Sequence, residues 1–129
     1  MTMLYSRQAI GDIDTIGRRL EEAVKAHKFG VLGVIDLQAK MREKGIEFKN
    51  ACRIYEVCNP HLAKQVLEKE MTISTALPCR ISLYQEGDKV TIATLRPTQI
   101  LGLFDVPELA TVAEAVEKDI LAMMDEAAR

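Results

Sequence analysis

Two strand-like runs, Pro78 to Gln85 and Lys89 to Leu95, flank Glu86-Gly87-Asp88, and no other feature narrows the choice of fold as far. Gly and Asp suit a tight reversal, and Ile81 and Leu83 alternate with polar Arg80 and Ser82 as a half-buried strand requires. A hairpin pairs its strands antiparallel, which rules out a purely parallel sheet.

The rest of the chain supplies elements to set around that hairpin. Leu4 to Ile10 reads as a short strand. From Asp12, a plausible cap, Ile13, Ile16, Leu20, Ala23 and Val24 recur at helical spacing with charge on the other side, and this helix ends before Gly30. Val31-Leu32-Gly33-Val34-Ile35 is a continuous apolar run, expected to be a strand covered on both faces. After Asp36, Gln38 to Lys44 carries helix formers until Gly45 stops them. Cys52 to Val57 mixes β-branched, aromatic and charged residues as strands do, and Asn59-Pro60 then opens a helix whose apolar stripe is Leu62, Ala63, Val66 and Leu67. Pro97 closes the hairpin. Pro107 is placed in the first turn of a long last helix, along which Leu109, Val112, Ala113, Val116, Ile120 and Met123 or Met124 recur. These elements lack the strict strand-helix alternation of a doubly wound sheet, so the expected fold is α+β, helices on a mostly antiparallel sheet. With 129 residues, no internal repeat and no Pro, Gly or Ser-rich linker, a single domain over residues 1–129 is expected.

Composition bears on function mainly by exclusion. Acidic residues outnumber basic ones by 19 to 17 and the two are interspersed, so there is no electrostatic footprint for nucleic acid. No stretch approaches the roughly 18 apolar residues of a membrane span, and the amino terminus lacks a signal-peptide pattern, which makes a membrane partner unexpected and the expected location cytoplasmic. The 3 cysteines, Cys52, Cys58 and Cys79, form an odd count without scaffold spacing, as reduced thiols in a cytosol would.

Chemistry concentrates at Val57-Cys58-Asn59-Pro60-His61. A strand running into a capped helix aims backbone N–H groups and the positive end of the helix dipole at the thiol of Cys58, a field that favours thiolate. The plainer reading is a small buried residue filling the strand-helix corner. His61 lies in the first turn of the same helix and Cys79 opens a later strand. Together with Cys58 they supply ligand types for zinc or copper, but with no evident fourth ligand no metal is expected. Cys58 and Cys79 both sit at strand ends and are candidates for a redox pair. Phosphate loops, nucleophile elbows and metalloprotease motifs are missing, and no cofactor is called for. Asp36 is read as a helix cap before a general base. Arg53 and Tyr55 share one strand face, with Cys52, Ile54 and Cys58 on the other, and an inward Arg53 needs an acidic partner or an anionic ligand. Met123 and Met124 are read as core before contact surface.

The residues Phe29-Gly30-Val31-Leu32, Ile35-Asp36, Cys58-Asn59-Pro60, Leu62-Ala63 and Leu77-Pro78-Cys79, in this order, resemble the family known as domain of unknown function 302. The resemblance runs from about Arg19 to Pro97 and includes Gly45-Ile46-Glu47-Phe48 and Tyr84-Gln85-Glu86. Met71-Thr72-Ile73-Ser74 departs from it, where the family often has a proline and a more apolar approach. The resemblance implies a compact α+β fold occurring as a dimer and no agreed activity, so it transfers no catalytic role. Because the helix mouth offers donors without a complete catalytic set, the leading expectation is a non-enzymatic homodimeric module holding a small anionic or apolar ligand near Cys58, Asn59, His61 and Cys79. Two alternatives stand beside it: a thiol-based redox or sulfur-transfer protein using Cys58 with Cys79, and a structural or regulatory interaction domain contacting partners through its last helix.

Overall fold

A computed structural model describes residues 2–129. It contains a five-stranded sheet with helices packed on one face. Strand β1 (Leu4–Ile10) leads into helix α1 (Ile13–Ala26), then β2 (Gly30–Asp36), α2 (Leu37–Glu43), β3 (Cys52–Cys58), α3 (Pro60–Lys69), β4 (Cys79–Glu86), β5 (Lys89–Leu95), α4 (Pro97–Gly102) and α5 (Ala110–Ala127). A 3-10 stretch, Met71–Ala76, links α3 to β4, and another, Pro107–Leu109, runs straight into α5. The strand order is β1-β5-β4-β3-β2 and every neighbouring pair is antiparallel. The expected α+β architecture is thus present.

The hairpin forms where the sequence places it. Glu86 pairs with Lys89 and the two-residue loop Gly87-Asp88 turns on Gly87 at φ 63°, a conformation that suits glycine. Gln85 anchors this corner, its side chain donating to Gly11 O at 2.8 Å and accepting from Ile13 N at 2.9 Å. Asp12 caps α1 by accepting from Thr15 N, and Asp36 caps α2 by accepting from Ala39 N, each at 2.9 Å. Asp36 is therefore engaged as a cap, in line with the simpler of its two readings.

The core lies between the sheet and the helices. Ala9, Tyr55, Val57, Ile81, Leu83, Val90 and Ile92 alternate onto one face and meet Ile13, Ile16, Leu20, Ala23 and Val24 of α1 and Val116, Ile120, Met123, Met124 and Ala127 of α5. Both methionines are fully buried. The opposite face carries Ser6, Gln8, Glu56, Ser82 and Tyr84 and is more polar. A smaller cluster of Val66, Ile73 and Leu109 joins α3 and the two 3-10 stretches.

Three expectations need correction. The apolar run of β2 is an edge strand paired only with β3, and Leu32 and Val34 are 64 % and 43 % exposed. A register shift between Val31 and Gly33 sets Leu32 out of the ladder, so an unbroken apolar run does not mean cover on both faces here. Pro97 does not merely end β5 but is the first residue of α4, a helix too short to leave a periodic signal. Pro107 begins the 3-10 stretch that precedes α5 and lies outside the helix proper.

Candidate functional site

The strand-helix corner at Cys58 opens into an apolar cleft. Cys58 is the last residue of β3, Asn59 is the cap of α3 and Pro60 its first residue. Cys79 opens β4 opposite Val57, so the two cysteines lie on adjacent strands offset by one register position. The cleft, about 130 Å³ in volume, is floored by Phe29, Val57, Cys58 and Cys79 and walled by Leu62, Ala63 and Val66 of α3. Ala76, Leu77 and Pro78 close one side, the Leu77–Pro78 peptide being cis, and Pro97, Ile100, Leu101 and Val116 close the other.

The wall made by α4 and α5 is held by a compact polar clasp. Glu117 Oε1 accepts from Thr98 N at 3.1 Å and from Thr98 Oγ1 at 2.7 Å, while Glu117 Oε2 lies 3.5 Å from Arg96 Nη1. The Arg96 guanidinium also covers the Tyr5 ring at 5.1 Å. With both charged side chains largely buried, the pair fixes the start of α4 against α5 and so sets the spacing of Ile100 and Leu101 from Val116.

Of the residues singled out in the sequence, Cys58, Asn59 and Cys79 line the cleft. His61 does not: it is exposed on the outer side of α3. Among the described residues no group of His, Cys, Asp and Glu is arranged to hold a metal ion, and all three cysteines are free thiols.

The helix mouth offers less to an anion than its sequence implies. Pro60 has no N–H. Asn59 Oδ1 accepts from His61 N at 3.0 Å and Leu62 N at 3.3 Å, and Asn59 O accepts from Ala63 N at 2.9 Å. The first-turn donors are therefore taken by the cap itself. Burial pushes the Cys58 thiol up from its ordinary value, where the dipole argument expects a lowered one. Cys79 is pushed up to about 11, by burial first and by the neighbouring Cys58 second. Both raised thiols are neutral near pH 7, and Arg80, next to Cys79, is the one charged residue among those lining the cleft.

Arg53, the other residue flagged by its chemistry, has found acidic partners. It pairs with Asp14 on α1 and lies 4.0 Å from Asp36. No anionic ligand is needed to balance it.

The sequence reading missed Ile100, Leu101 and Val116 as lining residues, because the first two come from the unanticipated α4 and the third from a helix read for its core and for partner contact. The one available signal was Pro97 followed by two adjacent apolar residues after a polar pair, Thr98-Gln99.

Fold and cleft together define a two-layer α+β domain with an apolar pocket where two strand ends meet a capped helix. The chain belongs to the family described as domain of unknown function DUF302, whose model matches residues 5–127, well beyond the stretch from Arg19 to Pro97 that carries the resemblance in sequence. It is similar to the crystal structure of an uncharacterized conserved DUF302 protein from Bacillus stearothermophilus, with a TM-score of 0.92 and 32 % identity over 100 % of both chains. No curated protein matches it.

Proposed function

We propose that this chain is a binding module for a small apolar ligand, or the apolar end of a larger one, held in the cleft between β3, β4, α3 and α4. The observation that carries the reading is the lining: about 130 Å³ of space walled mainly by aliphatic, aromatic and uncharged thiol groups, with Asn59 and Arg80 as its polar members. An apolar cavity of about 150 Å³ takes a benzene-sized molecule, and water is poorly held where it lacks two or more polar partners. Displacing such water by an apolar group is favourable. Between the two ligand chemistries expected at the helix mouth, the occupied amides of α3 and the neutral thiols favour the apolar one. Homodimerisation is the second part of the proposal. Its support is the set of apolar side chains left exposed on the two edge strands, Leu4 and Ile10 on β1 and Leu32 and Val34 on β2.

The test is a methyl NMR titration with indole, 1-hexanol and hexanoate, read on Val57, Val66 and Val116. Saturable shifts with indole or hexanol, abolished by Ala63→Phe and retained in Cys58→Ala, are expected. A cleft that answers none of the three probes overturns the reading, and a preference for hexanoate restores the anionic one. Sedimentation equilibrium giving a monomer at every concentration removes the dimer.

A further inference from the structure

Away from the cleft, His27 joins the two long helices. It is the C-cap of α1, and 23 % of its side chain is exposed. Its ring reaches across to α5, with Nδ1 3.0 Å from Asp119 Oδ1 and Nε2 2.5 Å from Glu126 Oε2. The two carboxylates stand two turns apart on α5, and the imidazole fills the space between them.

A neutral imidazole has one N–H and one lone pair, so it can donate to only one of these carboxylates. Its bare nitrogen then faces the lone pairs of the other. Only the imidazolium, with two N–H donors, satisfies both. The C-terminal end of α1 adds its own preference for a cation at this position. We infer that His27 is a pH-sensitive latch, tying α5 to α1 while its ring is protonated and releasing one of the two ties when the proton leaves.

The surrounding charges do not compete for this role. On α1 and just beyond it Glu22, Lys25 and Lys28 are exposed to solvent and Arg19 donates to Arg129 O at 2.7 Å, while on α5 Lys118 is exposed and Glu117 is engaged by Thr98 and Arg96. The next strand, β2, has no charge before Asp36, which is engaged in capping α2. On β4, Arg80 and Glu86 alternate onto the polar face of the sheet, and Arg80 lies 3.7 Å from Glu56. From β1, Arg7 pairs with Asp125 at 2.9 Å rather than with either latch carboxylate.

The direction of the titration agrees with the geometry. The Glu126 hydrogen bond, opposed by burial and reinforced by Asp119, raises His27 above its ordinary value of 6.5. A folded-state value above the unfolded one contributes stability that is fully present below pH 6.5 and is lost as pH rises through the folded-state value.

The chain has only 2 histidines, so NMR of the ring Cε1–H groups resolves His27 from His61 once His61→Gln has assigned them. His27 is expected to titrate above 6.5. Thermal melting should place His27→Gln about 3–6 °C below the unmodified protein at pH 5.5, with the gap closing toward pH 9. A His27 midpoint at or below 6.5, or a gap that is the same at both pH values, overturns the latch. Should His27→Gln fail to fold, Asp119→Asn and Glu126→Gln decide the matter by keeping the histidine. Each must lower its midpoint, and an unmoved midpoint in both is a refutation.

Discussion

Replacing Gly17 by alanine sets two opposing effects of known size against each other. Gly17 lies in the middle of α1, where glycine costs about 1 kcal/mol relative to alanine, so helix propensity alone makes the substitution stabilising. The structure reverses the sign. A Cβ at Gly17 would meet Tyr55 Oη well inside van der Waals contact and lie 3.4 Å from Tyr55 Cζ. Tyr55 is 3 % exposed and fixed in the core of the sheet, so the ring has little room to withdraw. Overpacking of this kind costs about 1–3 kcal/mol, and where the phenol cannot move the upper part of that range applies. The net expectation is a loss of about 1–2 kcal/mol. Tyr55→Phe removes the hydroxyl and leaves only the milder ring contact, so in that background Gly17→Ala should be neutral or stabilising. Urea melts of the four proteins give the coupling directly, expected at about 2 kcal/mol. Stabilisation by Gly17→Ala in the unmodified protein, or the same effect in both backgrounds, would refute the close approach of α1 to β3.

Two further outcomes test the candidate site. The alkylation rate of Cys58 with iodoacetamide, followed against pH with Cys52 and Cys79 replaced by serine, should reach its half-maximum above the roughly 8.5 of a free thiol. The raised value means less thiolate at neutral pH, and a half-maximum well below 8.5 would revive the thiol-chemistry reading. Asn59→Ala should cost about 1 kcal/mol in a urea melt, because it strips the acceptor from His61 N and Leu62 N. It should also free these amides for an anion, so a gain of hexanoate binding in the variant checks the claim that the cap occupies them.

Features governed by neighbours in the chain were legible in the residues themselves. The Gly87-Asp88 turn needs φ above zero, the caps at Asp12, Asp36 and Asn59 need a short polar side chain beside unpaired amides, and the stripes of α1 and α5 need apolar residues at every third or fourth place. These are short-range requirements and leave a mark at fixed spacing. The family resemblance was legible as well, since its Cys-Asn-Pro and Leu-Pro-Cys elements are local.

Three other things were decided by residues far apart in the chain. Strand β2 has the apolar content of a central strand, yet it lies at an edge, because pairing order depends on where β1 returns to meet β5 and composition does not encode that. The cleft needs α3, α4, α5 and two strand ends together, and nothing in Ile100 or Val116 alone announces a shared wall. The His27 latch joins partners 92 and 99 positions away along the chain, so no spacing motif could reveal it. The sequence alone singled out the corner at Cys58, and a cleft opens there in the structure. Its charge state was another matter, because a thiol's ionisation balances the field of its helix against the water removed from it. The first is local and the second exists only after the chain has closed around the residue.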